Sequence, residues 1–216
     1  MSFENTTLSQ RISEEIAIKI SEGVLKPGDR LLELELTEEF GTSRAPIREA
    51  LFILEKDGIV ERVPRKGVFV KKRTKKELLD LYEVVYRLLE IALTKLNDSC
   101  TDEQLEEISV LIIKMGETLE GNKVKQCFDL LEELQMNFFI FSGNTVLKDL
   151  YMRINSQLIP FRYISLSYPT SMEHSIREYS EILNGLKEKN QNKILDSLKR
   201  KEKRALAILE KFVNNQ

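Results

Sequence analysis

The fold of the first third of this chain is decided by residues 40–51, Phe40-Gly41-Thr42-Ser43-Arg44-Ala45-Pro46-Ile47-Arg48-Glu49-Ala50-Leu51. Gly41 is expected to stop one short helix. Thr42 and Ser43 are good N-caps, because their side-chain oxygens accept hydrogen bonds from first-turn N–H groups. Pro46 falls in the first turn of the next helix, where a missing N–H costs little. The stretch therefore predicts a tight turn followed by a helix over about residues 43–57, which Gly58 ends.

Regular patterns on both sides of this stretch complete a small domain. Apolar residues recur every four positions through residues 8–22, which predicts an amphipathic helix, and a second short helix leads up to Gly41. After Gly58 the pattern changes to two short runs rich in β-branched residues, Ile59–Val63 and Gly67–Val70. The turn residues between them predict a β-hairpin. Three helices and a hairpin wing predict a winged helix-turn-helix over residues 1–71.

Everything after residue 76 is predicted to be helical. Core-facing apolar residues advance by three or four through residues 78–96, and further helices are expected at about 101–121, 123–141, 145–162, 171–189 and 191–214. Pro160 is expected to bend or end the fourth of these six helices, with a loop over residues 163–170. Long helices joined by short connections predict an antiparallel bundle over residues 77–216, reached through a basic linker at residues 72–76. The predicted fold class is mainly α in two domains.

Composition excludes several classes of protein. No apolar stretch approaches the roughly 20 residues that a membrane-spanning helix needs. The first residues, Met1-Ser2-Phe3-Glu4, lack the basic and apolar segments of a secretory signal, so a cytoplasmic location is expected. Two cysteines without metal-motif spacing and a single histidine give no disulfide scaffold and no basis for a metal centre or histidine-based catalysis. Without a nucleophile–histidine pair or a Gly-rich phosphate loop, an enzyme is disfavoured.

The positive charge of the chain is concentrated in one block. Residues 41–76 hold 11 basic and 4 acidic side chains (+7), whereas residues 1–40 hold 4 and 9 (−5) and residues 77–216 hold 18 and 22 (−4). Such a block is a candidate anion-binding surface, although a solvated charged face has the same composition.

The winged-helix pattern places a DNA-binding site within this block. In this motif the N-terminal end of the third helix enters the major groove, and arginine there can bond two acceptors of guanine or clamp a phosphate. A basic wing tip can reach the neighbouring minor groove. The alternative is that Arg44 and Arg48 merely solvate the helix, with Arg48 paired to Glu49 or Asp57. The predicted DNA-binding residues are Thr42, Ser43, Arg44, Ala45, Arg48, Arg65, Lys66 and Gly67.

These residues also carry a family resemblance. The segments Gly23 to Leu31, Phe40 to Leu51 and Lys66 to Val70 resemble the winged-helix domain of the GntR-type bacterial transcription regulators, almost without a gap over residues 10–71. The resemblance implies a DNA-contacting role for Ser43, Arg44, Arg48, Lys66 and Gly67.

The second half resembles the FCD-type effector domain of FadR-like members of that superfamily. The likeness rests on the helix count, on Phe141-Ser142-Gly143-Asn144 and on the spacing of the last two helices. Many members hold a divalent metal there through aspartate and histidine side chains. At the corresponding positions this chain has Leu131, Gln135, Tyr179 and Lys201. Because leucine cannot coordinate and lysine brings a positive charge, we expect no metal and no other cofactor.

The replacements suggest a ligand of another kind. Gln135, Tyr179 and Lys201 are implied to point into the bundle, where a buried ammonium needs an anionic partner. Arg87 is a second candidate for anion binding, although Tyr86 occupies the equivalent position in the resemblance. The alternative is that Lys201 is exposed within the charged run 199–204.

Together these expectations describe a homodimeric transcription regulator, expected to be a repressor. It would bind double-stranded operator DNA as an inverted repeat and respond to a small, anionic effector in the helical domain. No membrane partner is expected. The open alternative is a DNA-binding regulator without an effector, whose helical domain only dimerises or binds a protein partner.

Overall fold

A computed structural model describes the chain over residues 7–214, without the side chains of Ser21 and of residues 212–214. The first four residues, on which the expectation of no secretory signal rests, lie outside this range. Contacts within the chain define two compact units, the first ending at Thr74 and the second beginning at Lys75. Within residues 7–214 the chain forms nine helices and one three-stranded sheet. The mainly α fold class is confirmed.

Over residues 7–74 the first unit contains three helices and three strands. They are α1 (Leu8–Ser21), β1 (Arg30–Leu31), α2 (Glu33–Phe40), α3 (Arg44–Lys56), β2 (Val60–Val63) and β3 (Gly67–Val70). Thr7 caps α1 through a reciprocal pair of hydrogen bonds with Gln10. The unit has its own core, in which Ile16 of α1 and Ile47 and Leu51 of α3 are fully buried.

The turn between α2 and α3 has the predicted form. Gly41 adopts a left-handed conformation at φ 60°, and the Thr42 N–H bonds the Thr37 carbonyl at 3.1 Å. Ser43 occupies the N-cap position of α3 in extended conformation, but its side chain makes no capping hydrogen bond. The turn therefore leaves the Ser43 hydroxyl available.

The sheet contains one strand that the sequence did not predict. Its order is β1-β3-β2, with β1 antiparallel to β3 so that Arg30 pairs with Phe69. A two-residue strand has too little alternation to be recognised by periodicity, and only the tertiary pairing reveals it. The hairpin of β2 and β3 has the predicted register, with Val63 opposite Gly67.

The second unit, as far as residue 214, is a bundle of six helices. They are α4 (Lys75–Ser99), α5 (Asp102–Glu117), α6 (Val124–Phe141), α7 (Thr145–Ser167), α8 (Ser171–Lys187) and α9 (Gln191–Asn214). Helix α4 begins inside the predicted linker, two residues before the predicted start at residue 77. The core of the bundle is rich in aromatic side chains, and Phe139 stacks on Tyr151 with ring centroids 4.0 Å apart.

Of the two outcomes predicted for Pro160, a bend or an end of the helix, the end was wrong. Helix α7 runs through Pro160 to Ser167, so the expected loop over residues 163–170 shrinks to Tyr168–Thr170. Proline removes one backbone hydrogen bond from a helix interior. Here the residues around it are held by burial, since Leu158, Phe161 and Arg162 all pack inside the bundle. Within residues 7–214 no helix combines the length and the apolar composition needed to cross a membrane.

Candidate nucleic-acid interface and internal cavity

The N-terminal end of α3 presents a polar, cationic tip above a buried apolar face. Ile47, Ala50, Leu51 and Leu54 lie in the core, which fixes the orientation of the helix. Ser43, Arg44 and Ala45 are exposed, and Thr42 is half-buried behind them. Over the described part of the chain, no carboxylate pairs with Arg44. Its guanidinium is therefore available to an external acceptor, together with the N–H groups of the first helical turn.

Arg48 lies one turn further along α3 and is held by an acidic neighbour. Its Nε lies 2.8 Å from a carboxylate oxygen of Glu33 at the start of α2, while 62% of its side chain stays exposed. The alternative pairing of Arg48 with Glu49 or Asp57 is wrong, because Arg48 pairs with Glu33, while Glu49 accepts a hydrogen bond from Ser9 at 2.7 Å. The ion pair with Glu33 orients Arg48 without covering it.

The tip of the hairpin carries two further cations. Arg65 and Lys66 are exposed, and the Lys66 N–H closes the turn on the Val63 carbonyl at 3.0 Å. Arg65 and Gly67 adopt positive φ angles of 62° and 112°. At Gly67 a side chain would be strained and would also approach Nε of Arg30 to 3.2 Å. Glycine thus lets the wing turn tightly beside Arg30.

Two residues of this surface were missed by the sequence analysis. Arg30 of β1 is exposed and packs against Gly67, which adds a cation to the base of the wing. Phe52 of α3 is 61% exposed and lies on the same side as Arg48, one turn later. The signal for Phe52 was present in the sequence, because residue 52 falls outside the buried positions 47, 50, 51 and 54. Arg30 could not be placed without β1.

The second unit contains a small, partly open cavity that is lined by five of its helices. Its volume is about 40 Å³, enough for about two or three water molecules. Tyr82, Tyr86, Gln135 and Ser175 contribute polar groups to its wall. Three cations, Arg162, Lys201 and Arg204, also line it, whereas no carboxylate among the described residues does. The hydroxyl of Tyr82 is buried without a hydrogen-bond partner in that same range.

Arg162 is held by side chains of α6 and α7. Glu132 lies 2.6 Å from its guanidinium, which also donates to the amide oxygens of Asn155 and Gln135. Gln135 accepts a further hydrogen bond from the Tyr151 hydroxyl at 2.8 Å and donates to Tyr179. Sequence analysis missed Arg162, because one arginine in an otherwise amphipathic helix resembles an ordinary surface residue.

Lys201 and Arg204 share one carboxylate. Glu178 of α8 accepts two hydrogen bonds from Arg204, at 2.9 and 2.8 Å, and lies 3.7 Å from the Lys201 ammonium. Lys201 also donates to Ser175 at 3.2 Å and lies 4.4 Å from the centre of the Tyr179 ring. Burial lowers the pKa of Lys201 to about 7, although the Glu178 carboxylate opposes the shift. Lys201 therefore titrates near neutral pH.

Comparison with known protein families assigns the chain to one of them. Residues 8–70 match the family described as bacterial regulatory proteins, gntR family, and residues 80–200 match the FCD domain. The chain belongs to the GntR family of bacterial regulatory proteins. It is a DNA-binding transcription regulator and not an enzyme.

Individual relatives of this GntR regulator agree with that assignment. An uncharacterised regulator YdhC of Bacillus subtilis is 32% identical over 178 residues, which cover 79% of this chain and 77% of YdhC. The gluconate operon transcriptional repressor of B. subtilis is 27% identical over 206 residues, covering 92% and 78% of the two chains. The structure of E. coli McbR/YncC superimposes with a TM-score of 0.82 over 95% of this chain and 98% of that one, at 23% identity.

The four predicted effector residues of the GntR regulator divide between the cavity and its surroundings. Gln135 and Lys201 line the cavity, and Lys201 is buried rather than exposed in its charged run. Tyr179 lies behind them, bonded to Gln135. Arg87 lies outside the cavity and pairs with Glu90 and Glu202 on the surface, while Tyr86 lines the cavity in its place.

These residues do not fit the divalent metal that many FCD domains bind. Leu131 offers no donor atom, and the amide of Gln135 is already hydrogen-bonded to Arg162 and two tyrosines. The positive charge of the Lys201 ammonium would repel a metal ion. Across the described residues, no three histidine, cysteine, aspartate or glutamate side chains are grouped so that they could hold a metal ion.

Proposed function

We propose that this GntR regulator is a cytoplasmic repressor that binds an inverted-repeat operator as a homodimer. A two-fold dimer presents two copies of α3 to half-sites roughly 34 Å apart, which is one turn of DNA. The observation that carries the proposal is the exposure of the N-terminal end of α3. Ser43, Arg44 and Ala45 are exposed there, whereas the core-facing residues of the same helix are buried. The likeness to the gluconate operon repressor supports repression as the direction of control.

Each residue of the interface has a role in this proposal. Arg44 bonds a base edge, preferably the two acceptors of guanine, and Arg48 is aimed by Glu33 at an adjacent base or phosphate. Ser43 and the first-turn N–H groups bind a phosphate oxygen. The wing residues Arg65 and Lys66, with Arg30 at its base, bind the backbone beside the minor groove.

Selection of binding sites from random duplex DNA tests this function directly. The enriched sequence is expected to be an inverted repeat with half-site centres about 10 base pairs apart. Binding should weaken steeply as salt rises, since phosphate contacts release counterions. Enrichment of no motif, or of an asymmetric one, would contradict the proposal.

We further propose that a small anion binds in the cavity of the helical domain and controls operator affinity. Among the described residues, three cations and no carboxylate line that cavity, with Glu132 and Glu178 behind Arg162 and Arg204, and the Tyr82 hydroxyl, which has no hydrogen-bond partner in that range, supplies a donor. Its volume of about 40 Å³ suits a single carboxylate or a group of similar size. The anion can change the affinity for the operator only if it binds the free regulator and the DNA-bound regulator with different affinities.

Anion binding is expected to depend on pH through Lys201. Its pKa of about 7 means that the ammonium is charged below pH 7 and neutral above it. Affinity for acetate should therefore be constant below about pH 6 and fall by up to about tenfold per pH unit above 7. Calorimetric titration of acetate and formate between pH 5.5 and 8.5 measures this, at constant ionic strength.

Two lysine variants of α9 make the pH test specific. Lys201→Met should bind acetate weakly at every pH, whereas Lys199→Met, which changes an exposed lysine of the same helix, should keep the wild-type profile. A Lys201→Met variant with an unaltered profile would remove Lys201 from the site.

A regulator without an effector is the second candidate, because the metal positions are replaced and the cavity is small. Thermal unfolding with small carboxylates and phosphate separates the two. A rise in melting temperature that Lys201→Met abolishes favours the effector, and no rise with any anion favours the alternative.

A further inference from the structure

The guanidinium of Arg162 lies among the positions from which many FCD domains hold a metal. Those positions are occupied here by Leu131, Gln135, Tyr179 and Lys201. Nη2 of Arg162 donates to Oε1 of Gln135 at 2.5 Å, and Gln135 in turn donates to the Tyr179 hydroxyl. Leu131 and Lys201 line the same cavity as Arg162. A cation that belongs to the chain itself is therefore present where these side chains do not fit a metal ion.

One edge of this guanidinium is already used by the protein. The Tyr151 hydroxyl and Oε1 of Gln135 are joined by a hydrogen bond of 2.8 Å, and they accept from Nη1 at 3.4 Å and from Nη2, respectively. Two neighbouring acceptors thus take the outer edge, along which the two terminal nitrogens lie. The other hydrogen of Nη1 goes to Asn155, and Glu132 lies 2.6 Å from the same nitrogen.

The second edge of the Arg162 guanidinium is free. Neither the Nε–H group nor the second hydrogen of Nη2 has an acceptor among the described residues. These two N–H groups lie on the same side of the planar guanidinium and are parallel, which is the arrangement that binds both oxygens of a carboxylate. Because Arg162 also lines the cavity, a ligand there can use this fork.

A third donor lines the same cavity. Tyr82 is only 3% exposed, and its hydroxyl has no hydrogen-bond partner in the part of the chain that the structure describes. A buried hydroxyl without a partner is unfavourable. An oxygen of a ligand in the cavity would supply the missing acceptor.

The charges around the cavity favour an anion with a single charge. Its three lining cations are Arg162, Lys201 and Arg204. The carboxylates of Glu132 and Glu178 lie behind them. With Lys201 protonated, one positive charge is therefore left uncompensated. A second negative charge on the ligand would lack a counter-charge at a partly buried site, which is costly.

We propose that Arg162 replaces the metal ion of other FCD domains and binds the carboxylate of a small monocarboxylate effector through Nε and Nη2, with the Tyr82 hydroxyl as a third donor. This inference rests on the anion site proposed above and names the group that anchors the anion. A planar carboxylate offers one oxygen to each N–H group of the fork, whereas a spherical anion meets only a positive charge. Binding requires no metal.

Formate and chloride separate a fork from a simple positive charge, because they carry the same charge and differ in shape. The wild-type regulator should bind formate at least about tenfold more tightly than chloride. Arg162→Lys keeps the charge and loses the fork, so its affinity for formate should fall at least about tenfold while that for chloride changes less than about threefold. Competition calorimetry in a chloride-free buffer of constant ionic strength measures both, and circular dichroism checks the fold.

Tyr82→Phe tests the site without removing a charge. It keeps the ring and deletes only the hydroxyl that has no partner among the described residues, so the bundle should be as stable as wild type. The affinity for formate should fall about 3- to 10-fold. Tyr163→Phe is the matched control, because Tyr163 is half-buried and is not among the residues that line the cavity. This control should bind formate like wild type.

The outcomes distinguish the anchor from the anion site as a whole. Equal wild-type affinities for formate and chloride, which need no variant, overturn the role of Arg162. A folded Arg162→Lys variant that keeps the wild-type preference, or formate binding that is lost after dialysis against EDTA, does the same, and each leaves the anion site standing. Unchanged formate binding by Tyr82→Phe removes the third donor. A wild type that binds neither formate nor acetate overturns both the anchor and the site.

Discussion

Replacing Arg44 by alanine is expected to weaken binding to the selected operator by about 1–3 kcal/mol, or about 5- to 150-fold. Arg44 stands exposed at the first position of α3, and the described chain provides no carboxylate that could occupy its guanidinium. Loss of a guanidinium that bonds a guanine should also relax the preference at one base pair in each half-site. Fluorescence anisotropy with the operator and with single-base-pair variants measures both effects.

Lys56→Ala is the control for this prediction. Lys56 is exposed at the other end of α3, about 18 Å along the helix, so its loss removes the same charge away from the tip. It should change affinity little and leave the base preference intact. If Arg44→Ala weakens binding to every sequence equally, Arg44 binds phosphate rather than a base. If Arg44→Ala binds the operator as tightly as wild type does, Arg44 is outside the interface.

Replacing Glu178 by glutamine is expected to lower the free energy of unfolding of the helical domain by about 3 kcal/mol. Its carboxylate is only 8% exposed and compensates both Arg204 and Lys201. Removing the negative charge leaves Arg204 protonated in a partly buried site without a counter-charge, which is costly. Lys201 loses its opposing carboxylate and should titrate at still lower pH. Urea-induced unfolding followed by circular dichroism measures the loss.

Glu181→Gln provides the comparison on the same helix. Glu181 also pairs with an arginine of α9, Arg200, but its side chain is 35% exposed. Because solvent screens such a pair, the substitution should lower the free energy of unfolding by less than about 1 kcal/mol. Adding Lys201→Met to Glu178→Gln should recover part of the loss by replacing a buried amine that has lost its carboxylate partner. Equal costs for Glu178→Gln and Glu181→Gln would show that burial does not govern the Glu178 site.

Local signals were sufficient for the first unit because each feature depends on neighbours in sequence. The left-handed turn at Gly41, the first-turn position of Pro46 and the hairpin around residues 64–67 all involve interactions over a few residues. The role of the N-terminal end of α3 followed from the winged-helix pattern, in which that end of the third helix faces the DNA. Strand β1 was not predicted, because it is formed only by its pairing with β3.

The predictions for the second unit failed where a residue's environment depends on distant helices. Pro160 was predicted to bend or end α7, yet the helix continues through it to Ser167. Arg87 was a candidate for anion binding, yet Glu90 and Glu202 hold it at the surface. Arg162, which no motif marked, became the best-coordinated cation of the cavity.

The sequence by itself determined the winged-helix unit, its cationic tip and the helical character of the rest, because periodicity, caps and turn residues act over short distances. Only the tertiary structure decided which charged residues of the bundle are buried. Lys199, Arg200 and Lys201 are adjacent in one run, yet Lys201 alone of these three packs inside. Its burial follows from the side of α9 that meets α8 and from the Glu178 carboxylate found there, and both depend on how the helices pack.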